Sequence, residues 1–514
     1  MTSHLNMERT VRNVADEGGN QRKGEHIQKE GEEVEGDRDM EREDESILLE
    51  GLTKQTLTFG ISAAQLLPSQ VGFTASDFDV LPTDTPELMT DAPFAMCGKV
   101  ERLWLAKSEL DGVFDAGHSE IYYRARGFLF PDDRSGSSVY GNRAGDKLAQ
   151  VLTAVGLHQV PKGQNPVTFV DVCGGPGAFS QVILSMFPHS RGVGITLVNP
   201  AQRSLQWYES LLFLPNGRWN PRFTPVLGPN TDSNGSVFLP ENLDSVAEKV
   251  RSISPSSSGA TLVVGDGGFN LSKDDKGNHR ENLQELFLAR IILSETVCAL
   301  KCLDKGGSFV CKVFDSFSAF TVSLFYIMTQ LFEFVYVVKP YLSRTVNSER
   351  YLVAKHCRTI SSVRFTFWKE HLEAIHAYHT DDSVMISLVP QRLLVEDATF
   401  HASVLALNNT LATRQTSALS LVMERVFSEL GSVDLNPRVL PRIQHEHSPS
   451  SSSSSSSVSS SSSSSSNSSY DLPPQSKKKR RRKRSHRHRR SRNTRRGRGR
   501  HAEDLSQKRP KLLK

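Results

Sequence analysis

The 514-residue chain has no run of 18 or more apolar residues, so no membrane span is expected. Its first thirty residues are polar and charged, without the apolar core of a signal peptide. Cysteine is scarce: Cys97, Cys173, Cys298, Cys302, Cys311 and Cys357 are scattered along the chain. That pattern suits reduced thiols in the cytosol or nucleus and argues against a disulfide framework. Cys298 and Cys302 lie four apart in an apolar helical run with no second pair to match them. Buried thiols are therefore expected there, and no metal site is expected. Neither a GxxxxGK[ST] loop nor a GxGxxG fingerprint occurs, which removes the usual phosphate-cradling motifs.

Charge is present but unevenly placed. The formal net charge is +5, yet residues 477–500 hold 16 Lys and Arg and no acid, so the remainder carries −11. The basic character belongs to a tail, with a second short cluster, KRPK, at Lys508–Lys511. Such density points to nuclear import receptors or nucleic acid as partners. Residues 1–50 are acidic, almost free of aromatics, and too polar to offset ordering entropy. Residues 51–92 read as a partly ordered arm, and folded structure is expected from about Pro93. The domain spans 93–435. A serine-rich linker covers 436–476, and the basic tail 477–514 carries the localisation signals.

Within the domain, an apolar run at Val167–Val172 carries Asp171 and breaks into a turn holding Gly174, Gly175, Pro176 and Gly177. Phe179, Val182, Ile183 and Met186 then recur at helical spacing, giving strand, tight turn, helix. Further strands are expected at Gly192–Val198, Thr261–Val264, Ser308–Val313 and Phe332–Val338, with Tyr351–Ala354 as an edge strand and Val384–Val389 as a later one. Residues 199–240 read as a long polar connection. Helices are expected at about Tyr140–Leu157, Glu241–Ile253, Glu281–Leu303 (stopped by Gly306-Gly307), Phe317–Gln330 and around Ser417–Leu430. Alternating strands and helices define an α/β protein, in which ligands bind at the carboxyl ends of the strands.

Four polar residues fall at that edge. Asp266 follows a strand, Lys312 lies near the end of one, Lys147 borders the apolar stripe of a helix, and Glu349 precedes Tyr351. A lone lysine beside a stripe is usually a snorkelling surface residue. Lysine near the end of a buried strand is harder to dismiss, because an unpaired buried ammonium is costly.

The segments VDVCGGPGAFS, VVGDGGF, FVCKVFDSF and SRTVNSERYLVAK resemble, in order, the motifs of the FtsJ/RrmJ-type S-adenosylmethionine-dependent RNA 2′-O-methyltransferases. NRAGDKLA, ENLQE and the long SRTVNSERY block extend the resemblance to the cap-1 mRNA 2′-O-ribose methyltransferases, over about residues 110–400. The resemblance implies a Rossmann-like, mostly parallel seven-stranded sheet with helices on both faces. It implies a catalytic tetrad of Lys147, Asp266, Lys312 and Glu349, with Lys312 as general base. S-adenosylmethionine would lie over Cys173, Gly174, Gly175, Pro176, Gly177, Ala178 and Phe179. The family's acid–hydrophobe pair near the adenine aligns with Ser236 and Val237, with Asp232 as the alternative acid. RNA contacts carry onto Arg126, Asn282, Leu283, Gln284 and Asn347, and the segment Asp111–Asp115 aligns with the cap-guanosine contact.

The expected activity is methylation of the first transcribed nucleotide of capped mRNA in the nucleus. Transcription or capping machinery is a further expected partner. Two alternatives stay open on the sequence: another cap-proximal nucleotide or ribosomal RNA as target, or a noncatalytic RNA-binding protein of the same fold.

Overall fold

Short runs rich in Val, Ile and Phe, bounded by glycine and polar turns, build a sheet, and apolar stripes between them build the helices that cover it. The computed structural model describes residues 55–71, 80–82, 93–130, 140–159, 166–199, 206–207, 218–268, 281–378, 383–385 and 387–431, with positions 138, 212, 214 and 216. The acidic segment 1–50, the linker 436–476 and the basic tail 477–514 lie outside the described residues.

The strands are β1 (Leu57–Ile61), β2 (Val80–Pro82), β3 (Thr168–Val172), β4 (Arg191–Ile195), β5 (Phe223–Val226), β6 (Ala260–Gly265), β7 (Leu303–Phe314), β8 (Phe332–Lys339), β9 (Glu349–Cys357) and β10 (Ser383–Met385). The α-helices are α1 (Cys97–Asp115), α2 (Ser119–Leu129), α3 (Arg143–Ala154), α4 (Ala178–Met186) and α5 (Pro240–Ile253). They continue with α6 (Gln284–Cys302), α7 (Ala319–Leu331), α8 (Val363–Tyr378), α9 (Gln391–Glu396) and α10 (Ala398–Gly431).

Eight strands form one sheet in the order β1-β8-β9-β7-β6-β3-β4-β5, and β2 pairs with β10 separately. β3 to β7 run parallel, while β9 is antiparallel to both β7 and β8, and β1 is antiparallel to β8. Six of the expected strands lie in this sheet, with β1 added from the arm and β5 from the 199–240 connection, whereas the expected Val384–Val389 strand is only the short β10, paired with β2 outside it. Residues 51–92 were expected to be only partly ordered, and LTFGI is too short to announce itself. Its backbone is satisfied by β8, from Leu57 opposite Lys339 to Ile61 opposite Val335.

Four further expectations are corrected. Tyr351–Ala354 is no edge: β9 lies between β7 and β8. The 199–240 connection contains β5. Gly306-Gly307 does not stop α6, which ends at Cys302. Both glycines sit inside β7, where Gly306 takes φ +79° and the pairing with β6 shifts register. The last helix also begins far earlier than Ser417, because buried Asn408 and Gln415 interrupt the apolar stripe of the part that precedes it.

Alternate strand residues point to opposite faces, as a pleat requires. Phe169, Leu262, Val264, Val310, Tyr351 and Val353 pack with α3 and α4. Val170, Val172, Val263, Phe309, Cys311, Val313, Leu352 and Ala354 pack with α5, α6, α7 and α8. A third cluster joins α1, α2 and the later part of α10 to Phe317 and Val346.

Buried Gln330 on α7 clamps the arm. Its amide oxygen accepts from Leu66 N at 2.9 Å and its Nε2 donates to the Ala64 carbonyl at 2.9 Å. Gln330→Leu should therefore destabilise the protein by about 1–3 kcal/mol and speed amide exchange across residues 57–66. Exchange unchanged in that segment would show that β8 alone holds the arm.

Candidate active site

The glycine turn follows β3, whose five residues are all buried. Gly177 adopts φ +113° at the start of α4, a left-handed conformation open to glycine. Gly174 packs so closely on Asp171 that a Cβ would collide with its carboxylate. The turn therefore presents bare backbone at the carboxyl edge of the sheet. It is tied to β4 by Gly174 N to the Ile195 carbonyl at 3.3 Å and Gly175 N to Thr196 Oγ1 at 3.2 Å. Beneath it, Asp171 Oδ2 accepts from Ser180 N at 3.0 Å and from Ser180 Oγ at 2.6 Å, while its Oδ1 is buried without a partner among the described residues. Burial pushes Asp171 up to about 7 against these bonds, and the charge of Asp266 adds to the push.

The four polar residues expected at this edge form two ion pairs. Lys147 Nζ on α3 donates to both oxygens of Glu349, at 2.7 and 2.8 Å. Lys312 Nζ near the end of β7 lies 2.7 Å from Asp266 Oδ1 and donates to the Asp266 carbonyl at 2.9 Å. Glu349 reaches the site because β9 runs antiparallel: its first residue stands opposite Phe314, where the parallel strands end. Burial opposes ionisation of Glu349, but Lys147 and Lys312 outweigh it and hold the carboxyl at about 2. Burial would likewise lower Lys312, yet Asp266 and Glu349 outweigh it and keep its ammonium above the ordinary range.

Several residues around the site gave no signal in the sequence. Glu295, buried on α6, accepts from Gly267 N at 2.6 Å and from Cys311 Sγ at 3.1 Å, bracing the turn that carries Asp266. Burial pushes Glu295 up to about 7, against the hydrogen bond from Cys311. Arg350, next to Glu349, is buried and pairs with Asp315 Oδ1 at 2.9 Å. Lys107 on α1 reaches the other Asp315 oxygen at 3.0 Å and Ser348 Oγ at 2.8 Å. Gln415 on α10 donates to the Val346 carbonyl at 3.1 Å.

Two of the expected RNA contacts, Asn282 and Asn347, lie close to α1. Asn282 Nδ2 lies 3.4 Å from Ser108 Oγ on α1, in the turn holding Leu283 and leading to Gln284. Neighbouring Lys107 touches Ser348, one residue past Asn347. Arg126 on α2 lies over the rings of Tyr122 and Tyr123, 5.4 and 5.2 Å from their centroids. On the far side, Ser236 is folded into a local turn, its Oγ accepting from Phe238 N at 3.4 Å, and Val237 is buried while Asp232 is exposed.

A backbone cradle beside paired lysines and carboxylates on a mostly parallel sheet is the arrangement of a Rossmann-like methyltransferase. Residues 140–357 match the FtsJ-like methyltransferase family model, and FtsJ-like methyltransferases depend on S-adenosylmethionine. A cap-specific mRNA (nucleoside-2′-O-)-methyltransferase 1 from Trypanosoma cruzi is 39% identical over 63% of this chain and 85% of its own length. The chain belongs to the cap-specific mRNA (nucleoside-2′-O-)-methyltransferase 1 family. The Mus musculus protein of that name is 29% identical over 63% of this chain, which spans only 39% of that relative. A Caenorhabditis briggsae relative, 33% identical over 60% of this chain, is named an inactive cap-specific methyltransferase 1B. The orphaned Asp171 oxygen and the bare Cys173–Phe179 backbone fit a cofactor with an amino-acid end.

The shifted carboxyls make opposite contributions to stability. Glu349 is depressed below its ordinary 4.5, so its contribution is complete above that value and is lost as pH falls toward 2. Asp171 is raised above its ordinary 3.8, so the folded state holds its proton longer and stability drains as pH rises from about 4 through 7. Asp171→Asn should flatten that decline in urea midpoints between pH 4 and 8. Glu349→Gln should be destabilised at neutral pH, with the deficit shrinking in acid. Curves that stay parallel to wild type would mean that neither carboxyl is perturbed in solution.

Proposed function

We propose that this chain transfers a methyl group from S-adenosylmethionine to the ribose 2′-oxygen of the first transcribed nucleotide of capped mRNA. The observation that carries this is the doubled lysine–carboxylate pair beside the glycine turn, in a chain of the cap-specific methyltransferase family. S-adenosylmethionine, when bound, supplies a methyl group activated by a sulfonium. Cys173–Phe179 would hold its amino-acid end, with Ser236 and Val237 near the adenine.

The protein's own part is to prepare a weak nucleophile. Lys312 takes the proton of the 2′-hydroxyl. With Asp266 and Glu349 as neighbours it rests as an ammonium, so it must first release its own proton, which added positive charge beside it favours. Asp266 orients Lys312 through the 2.7 Å contact, and Glu349 does the same for Lys147, whose ammonium faces the developing alkoxide. Arg126, Asn282, Leu283, Gln284 and Asn347 position the RNA, and in-line placement itself contributes to the rate. The noncatalytic reading is disfavoured because all four tetrad positions are filled and paired.

Lys312→Ala should lower methyl transfer to capped RNA by at least about 10²-fold while cofactor binding persists. Turnover close to wild type at neutral pH would remove Lys312 from the mechanism. Nuclease digestion of the labelled product identifies the nucleotide. Label on a later nucleotide or on ribosomal RNA alone would replace the cap-1 assignment.

The basic tail serves nuclear import and nonspecific RNA attraction, since the rest of the chain is net acidic. Truncation after Pro441 should abolish nuclear accumulation and weaken RNA binding at low salt, leaving cap preference and saturated turnover intact. Loss of cap discrimination in the truncated protein would place the tail inside the recognition site.

A further inference from the structure

Beyond the tetrad, one more lysine is built into the catalytic edge. Lys339, the last residue of β8, extends beneath the 343–349 loop, which carries Asn347 and ends at Glu349. Its Nζ donates to the Glu349 carbonyl at 2.6 Å, the Asn347 carbonyl at 2.7 Å and Asn347 Oδ1 at 2.9 Å, with Ser343 Oγ at 3.2 Å. Ser343 Oγ donates in turn to the Glu349 carbonyl at 3.0 Å. An ammonium has three protons and accepts nothing, so three close acceptors satisfy it completely. Burial pushes Lys339 well below the ordinary lysine range, opposed by Glu349 and aided by Arg350 and Lys147. Holding a proton there is costly, and nothing in the methyl transfer described above uses it.

The contact with Asn347 has a directional consequence. Only the amide oxygen can face a lysine that donates, so Nδ2 must face away. Asn347 is part-exposed, and among the described residues its Nδ2 donates to nothing. We propose that Lys339 is a positioning residue that turns the Asn347 amide so that its NH₂ meets a hydrogen-bond acceptor oxygen of the RNA. By the same anchor it sets the height of Glu349. This rests on the cap-1 reading for its substrate. The acceptor is a phosphate oxygen or a base carbonyl, which share the chemistry but differ in dependence on sequence.

The test uses the full chain, saturating S-adenosylmethionine and capped RNAs with each of the four first nucleotides. Asn347→Asp keeps an oxygen for Lys339 but puts a second acceptor where the NH₂ was. It should raise KM for capped RNA at least about tenfold, more than Asn347→Ala does, with cofactor Kd unchanged. Lys339→Met keeps the apolar stem and removes the donors. It should raise KM for RNA by a similar factor and lower kcat through Glu349, again with cofactor Kd unchanged. An equal loss with all four RNAs assigns the acceptor to phosphate, and a loss confined to some assigns it to a base. The inference is overturned if Asn347→Asp leaves KM within about twofold of wild type, or if Lys339→Met weakens cofactor and RNA together. Should Lys339→Met fail to fold, the Asn347→Asp result decides. A wild type inactive on capped RNA removes the cap-1 reading as well, whereas an active wild type with an indifferent Asn347→Asp removes this inference alone.

Discussion

A buried carboxylate, that of Glu349, is the charge around which the catalytic edge is assembled. It is 7% exposed and ionised down to about pH 2, and burial on that scale is tolerable only with cations in contact. Lys147 supplies two hydrogen bonds, Tyr351 Oη a third at 2.9 Å, and Lys312 and Lys339 add their fields. The dependence is mutual for Lys312, which is itself buried and keeps its charge because Asp266 and Glu349 are near. Removing one member leaves an unpaired charge rather than a missing contact. The edge therefore behaves as one electrostatic unit, and the effects of single substitutions in it should not add.

The carboxylate is in place because one strand runs the wrong way. In a wholly parallel sheet the first residue of a strand lies at the edge opposite to the ligand. Antiparallel β9 brings Glu349 opposite Phe314 and Tyr351 opposite Lys312, at the end where β3 and β6 release the glycine turn and Asp266. Four chain segments far apart in sequence thus meet as two ion pairs at one edge. Beyond the span that matches the FtsJ-like family, Lys107, Asn408 and Gln415 hold the loops next to the edge, so helices α1 and α10 belong to the site's support and not to a separate module.

Much of this was legible in the sequence, for a physical reason. Parallel strands buried on both faces read as continuous apolar runs, and a charge at the end of such a run stands out. Asp171, Asp266 and Lys312 were visible that way, and Lys147 and Glu349 became so through the motifs around them. β1 was not, because five residues with one buried side chain leave no pattern apart from their partner. The middle of α10 was hidden by the residues that matter there: buried Asn408, which donates to the Phe94 and Ser316 carbonyls, interrupts the apolar stripe that would have marked the helix. Lys339 lies one residue past the expected Phe332–Val338 strand, and its contacts exist only in the fold.

The state of Lys312 is decided only by the folded geometry. Burial favours a free base there, and two carboxylates pull the other way. In the folded protein the carboxylates prevail, because the 2.7 Å contact with Asp266 is direct while Lys147 is engaged by Glu349. The resting site is thus a neutralised lattice of two cations and two anions. Positive charge arriving beside it unbalances the lattice in the direction that frees a lysine proton. Under the proposed mechanism the base would be made as the reaction partners assemble, from an edge whose charges are paired beforehand.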